Sequence, residues 1–437
     1  AIVGWIDPAK TYSAPAVTNI NKKPSYQTDA QKVFVKADML SQHSRLAGVF
    51  NLQLNPNLEF NKNSMGKMVQ ASPNGAESKK GGAGGVVSVI IGDNNTEALI
   101  MPSVDMRTGK DGLFVHSDTR VFDLVMAGAG AKAGKFGFSG TAIYTQFNNT
   151  TRSNIASGIS YSGGVVDIDA TDLSVVISLA GSLIRGSSQG FGVSLAINDL
   201  TRNTEASIGE KSGTTSTSSM TISGPLNIYS RNKGSMVGAA IAAAVMSKEV
   251  PSTPAGGAGA SGNPTSGGQG VGGSSGQGGA TQQAAASGKS GIGVSGAVVL
   301  NGYGDFSSPA GVSDNARSFI RTQGQVNATG SVNLEAINSM TVAGLSGSAA
   351  VNTDPTKSNT GIAGALSINT LAGTTEAYVG QVQLTAPSLG LIASGSGMII
   401  SLSAGVATAP GTDKGTAVSG SVSANNSTMS TVADISE

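Results

Sequence analysis

Hydrophobic and polar residues along this chain alternate with a period of two in almost every apolar stretch. One segment type has the anchors Gly84-Gly-Val-Val-Ser-Val-Ile-Ile91, Gly137-Phe-Ser-Gly-Thr-Ala-Ile143 and Gly192-Val-Ser-Leu-Ala-Ile-Asn198. It recurs as Gly293-Val-Ser-Gly-Ala-Val-Val299, Ala363-Gly-Ala-Leu-Ser-Ile-Asn369 and Gly415-Thr-Ala-Val-Ser-Gly-Ser-Val422. A second type lies between the anchors, at Val33–Met39, Val166–Ile177, Met220–Ile228, Val326–Leu334 and Val382–Ala393. Strict alternation is the strand signature, and a helical spacing of 3.6 fits none of these segments. Only the Ala-rich run near Ala239 offers a short helix as an alternative.

The anchors begin 53, 55, 101, 70 and 52 residues apart. The long interval holds a Gly/Ser/Gln tract of about 40 residues, and without it that spacing approaches 60. Thr96-Glu97-Ala98, Thr204-Glu205-Ala206 and Thr375-Glu376-Ala377 each follow their anchor by 12 residues. A repeat of this length with four or five short strands predicts an all-β, elongated parallel β-solenoid (β-helix) of six to seven quasi-repeats with one extruded low-complexity loop. Two coils per unit, rising about 4.8 Å each, would give a rod on the order of 70 Å long. A set of sandwiches or barrels is the competing architecture. The organisation expected is a charged variant start over 1–80, solenoid repeats over 81–250, the loop over 251–291 and further repeats over 292–437.

Within an anchor the two faces differ. Phe191, Val193, Leu195 and Ile197 lie on one, and Gly192, Ser194, Ala196 and Asn198 on the other; Ile362, Leu366 and Ile368 oppose Ala363, Ala365, Ser367 and Asn369 in the same way. Full burial of a Leu or Ile is worth about 1.5–3 kcal/mol, so the large face is expected to be core. The small face is expected to be low-charge surface, or a place where another backbone comes close.

Composition narrows the chemistry. Of 437 residues only 12% are charged, with 27 Lys and Arg against 26 Asp and Glu, which gives no electrostatic case for nucleic acid or an anionic membrane. No Cys and two His leave no disulfide frame or Cys-ligated zinc and argue against a His-rich metal site. The longest apolar run, Met236–Met246, is too short to cross a bilayer, so no membrane insertion is expected. The ends suggest a mature product or a piece of something longer.

Several motifs invite a chemical reading. Val121–Ala133 contains Gly128-x-Gly130-x-x-Ala133, but a dinucleotide fingerprint needs a helix next and another strand anchor follows; Gly134-Lys135 also misses the phosphate-loop pattern. Asp167, Asp169 and Asp172 form the densest carboxylate cluster, with calcium conceivable and a solvated face the plainer reading. His116-Ser117-Asp118 makes no triad by adjacency, and the sequons at Asn94, Asn149, Asn327 and Asn426 are expected by chance. No catalytic, cofactor-binding or metal-binding residue and no cofactor is assigned.

Gly-Val-Ser-Leu-Ala-Ile-Asn, a turn, Thr-Glu-Ala-Ser-Ile and an alternating Val-x-Leu-x-Ala strand resemble the repeats of very large bacterial surface proteins, the filamentous-haemagglutinin-like and autotransporter-type adhesins. Residues 84–100, 190–208 and 361–379 carry this resemblance, which extends over about 30–435 apart from the loop. It implies a non-enzymatic β-helical stalk or passenger, extracellular at the cell surface. Its implied partners are other cell surfaces, matrix or glycans, or copies of itself end to end. A self-assembling subunit of an extracellular fibre or sheath and a carbohydrate-active β-helix enzyme are the alternatives.

Overall fold

The computed structural model describes residues 2–3, 32–48, 77–78, 81–133, 135–186, 188–211, 216–247, 291–303, 314–353, 359–411 and 415–436. Every regular element among them is a strand, and each pairing is parallel. One coil runs along a front strand, turns through a short end strand and returns along a back strand. The first complete coil uses Gly81–Ile100, Asp105–Arg107 and Gly112–Ala133. The next starts at Phe136 and places each residue beside its counterpart, with Gly137 opposite Gly82 and Ile155 opposite Ile100. Coils starting at Gln189, Ile292 and Thr360 follow. A back strand, Lys32–Gly48, precedes the five coils, and a front strand, Thr416–Ser436, succeeds them. The solenoid is therefore present, and the Ala-rich run lies in the back strand Leu226–Met246.

One quasi-repeat makes one coil instead of two, because the front and back strands are each about 20 residues long. At about 3.3 Å per residue such a strand spans roughly 65–70 Å, and six layers about 4.8 Å apart rise only about 25 Å. The long dimension is thus the strand direction, and the coil stack has less than half the height that two coils per unit would give.

The stack is continuous across the Gly/Ser/Gln tract. Gln189–Leu200 pairs directly with Ile292–Tyr303, and Leu226–Met246 with Val332–Asn352. Residues 251–290 of the tract, and most of 1–80, lie outside the described residues. The fourth front strand is in two parts: it stops at Tyr303 and resumes in register at Asp314.

Two regimes divide the interior. Near the end sheet the coil is a triangle wide enough for Ile100, Leu113, Ile155, Ile168, Ile208, Leu226, Ile228 and Leu334. Left-handed residues turn the front-to-end corners at Ser103, Gly158 and Gln381, with φ of 65°, 79° and 56°. Gly158 is also sterically required, since a Cβ there would lie 2.8 Å from Ser216 Cβ. Away from that corner the front and back sheets close on each other directly. A Cβ on Gly192 would sit 2.9 Å from the Ala243 carbonyl oxygen of the facing sheet, and Ser194 donates to the Ile241 carbonyl at 2.6 Å.

This thin half reverses the facial assignment expected from the anchors. Ala196, Asn198 and Ser194 are fully buried, whereas Val193 is 44% exposed. Likewise Ala363, Ala365, Ser367 and Asn369 point inward, and Ile362 is 42% exposed. Sheets this close take mainly Gly, Ala, Ser and Asn between them, and the large residues that do enter, such as Val299 and Leu371, sit against glycines of the facing sheet, Gly238 and Gly397. The sheet spacing therefore decides against the transfer energy of individual side chains.

Candidate functional site

Polar groups inside the thin slab are organised along the stacking axis. Asn198, Asn301, Asn369 and Asn425 occupy one register column, with amide-to-amide bonds of 2.7, 2.9 and 3.0 Å from coil to coil. Gly238 and Gly344 of the back sheet make room for it: a Cβ at either would come within 2.5 Å of an Asn Oδ1. In-register parallel pairing places identical side chains directly over one another, so Asn301 and Asn369 each donate to one neighbour and accept from the other.

A second buried group joins the two parts of the fourth front strand. Arg202, wholly inaccessible, donates from Nε and Nη2 to the two carboxylate oxygens of Asp314, both at 2.7 Å, and from Nη1 to the Lys233 carbonyl at 2.8 Å. Its guanidinium lies 5.0 Å from the Tyr303 ring centroid, so it meets both parts of that strand. Burial works against the Arg202 charge, but Asp314 and its hydrogen bonds outweigh that and raise its pKa. Asp172, 3.9 Å from the guanidinium, is pushed up to about 6 by burial despite Arg202, Ser174 and Asn149.

On the outer front face near the end sheet, Glu97, Arg152, Glu205, Arg317 and Glu376 form one column of alternating charge. Arg152 Nε donates to Glu205 at 3.0 Å and Arg317 Nε to Glu376 at 2.7 Å. The recurring Thr-Glu-Ala tripeptide thus belongs to the stacking: Ala98, Ala206 and Ala377 are core, and the coils between them supply Arg.

The other motifs separate. Gly128 and Gly130 lie within a strand that no helix follows, so the fingerprint has no helix terminus to hold a phosphate. Asp167 and Asp169 share the outer face of the back sheet, where Arg231 takes Asp169 at 2.6 Å, while Asp172 points into the core. The three carboxylates therefore do not converge. Among the described residues no group of three or more His, Asp or Glu comes together. His116 and Asp118 face out and Ser117 faces in, which separates that trio too; His116 Nε2 is 3.8 Å from Asp167, whose pKa is raised chiefly by burial. Asn149 is buried and bonded to Asp172 and Ser174, which leaves no room for a glycan. Thr217, Gln323, Gln325 and Gln383 help to line a shallow depression of about 580 Å³ on the end sheet, with no ionisable side chain among its lining residues.

The reversal of faces leaves two broad apolar belts on the outside of the thin half. The front belt includes Val87, Val89, Ile91, Phe138, Val193 and Val422, the first at 74% exposure. The back belt includes Phe122, Ile241, Leu345, Ile400 and Leu402, with Ile241 at 61%. The two lie back to back across the thin core, as the Ser194–Ile241 contact shows. The same alternating segments that revealed the strands held this surface, but read with the opposite face inward.

These features define a parallel β-solenoid of repeated coils. No family model matches the chain, and it matches no curated protein and no solved structure.

Proposed function

We propose that the chain is a non-enzymatic, extracellular segment of a large bacterial surface protein that presents a stiff contact surface for attachment to cells, matrix or glycans. The observation that carries this reading is the in-register stack itself. Its buried Asn column and outer charge column run from coil to coil, so repeated sequence is spent on rigidity along the stack. With each coil consuming about 55 residues for about 4.8 Å of rise, breadth is favoured over reach. A contact face is therefore a better use of the chain than a long spacer.

A second reading, a subunit of a self-assembling fibre or sheath, is favoured by the outer apolar belts. The test is binding of fluorescently labelled protein to bacterial and animal cells and to immobilised polysaccharides, with reducing-end release assayed in parallel. Saturable attachment without release is expected. Absence of attachment overturns the adhesive reading, and release that disappears in Asp167→Asn/Asp169→Asn would support a carbohydrate-active enzyme instead.

A further inference from the structure

We infer that the outer apolar belts are packing surfaces for further copies of this chain, which assemble side by side, sheet face on sheet face, rather than end to end. This inference concerns self-association alone and holds whether or not the chain is adhesive.

Each belt extends about 30 Å along the strands and about 25 Å across the layers, on the order of 750 Å² per face. Apolar patches on soluble monomers rarely exceed about 600 Å². A standard stable interface takes about 800 Å² from each partner, so one belt supplies nearly the whole of one. Flat β-faces of this type pack at about 10 Å by interdigitating alternate side chains, and both belts present such rows.

The belts lie on opposite faces of the same thin half, so a closed dimer that covers one leaves the other bare. Successive copies can bury both only by piling up laterally. A lipid surface would also cover apolar residues, but each belt is a flat set of alternating rows with nearly the extent that one partner of a standard interface supplies, which favours a second copy as the occupant.

Sedimentation velocity over a hundredfold concentration range tests the proposal. The chain should pass from 43.2 kDa to progressively larger species. Ile241→Lys/Leu402→Lys on the back belt, or Val89→Lys/Val193→Lys on the front belt, should halt growth at no more than a dimer, and the fourfold variant should remain monomeric. Threonine at the same four positions provides a milder second set, and circular dichroism near 218 nm checks that each variant is folded. If the folded fourfold variant assembles like the parent chain, the contacts lie outside the belts and the proposal fails. It fails equally if the parent chain remains monomeric throughout, or if it floats with phosphatidylcholine/phosphatidylglycerol vesicles instead of self-associating.

Discussion

Substituting Gly344 by Ala adds one methyl group to the inner face of the back sheet, at the Asn column. The new Cβ would lie 2.3 Å from Ser367 Oγ, 2.5 Å from Asn369 Oδ1 and 2.9 Å from Asn369 Nδ2. Asn369 cannot swing aside freely, because it is fully buried and bonded to Asn301 at 2.9 Å and Asn425 at 3.0 Å. Displacing it breaks one or both bonds, and each buried amide left unpaired costs about 1–3 kcal/mol. Overpacking adds about 1–3 kcal/mol, so with one bond broken a total loss of about 2–6 kcal/mol is expected. The next residue, Leu345, points outward and is 39% exposed. Leu345→Ser should cost only about 1–2 kcal/mol, since about two-fifths of that side chain is already in water. Urea unfolding followed by circular dichroism, at dilutions where the midpoint no longer depends on protein concentration, gives both values. Were the large residues core, Gly344→Ala would be mild and Leu345→Ser would cost several kcal/mol; that order would refute the assignment of faces.

Arg202→Met should destabilise the fold by about 3–5 kcal/mol, because it strands the buried Asp314 carboxylate; Arg202→Met/Asp314→Leu should recover most of that loss in the same urea titration. The pKa values of Asp123 and Asp172 are each pushed up to about 6, chiefly by burial, from an ordinary value of 3.8. A raised folded-state pKa contributes stability that is complete below about pH 4 and lost as the pH rises through about 6, up to about 3 kcal/mol per group. Urea midpoints should therefore fall between pH 4 and 6, and Asp123→Asn/Asp172→Asn should flatten that profile. Glu376→Gln leaves Arg317 without its closest carboxylate partner and should lower stability by about 1 kcal/mol, an effect that shrinks in 1 M salt because the pair is partly exposed.

The strands, the repeat and the excluded motifs were legible in the chain because each rests on short-range order. Alternation over Phe191–Asn198 reads as a strand whatever surrounds it, and Thr-Glu-Ala recurring 12 residues after its anchor shows stacking before any coordinates. The Arg202–Asp314 pair was not legible, since its members lie 112 residues apart and meet only through the pairing of the third and fourth front strands. Nor was the number of coils per unit, because strand length depends on where corners such as Ser103 and Gly158 fall.

Sequence by itself determined that residues on alternate faces of each strand would be separated, and that like would stack upon like every 55 residues or so. Which face turned inward was decided by tertiary structure. Alternation is symmetrical with respect to the two faces, and the choice depends on the gap between front and back sheets. Where the end sheet props that gap open, Ile100, Leu113 and Leu226 fill it. Where the sheets meet directly, small residues such as Ala196, Ser194 and Asn198 fill much of the interior, large ones such as Val299 and Leu371 enter where the facing sheet offers Gly238 or Gly397, and Val193 and Ile362 are left on the outside.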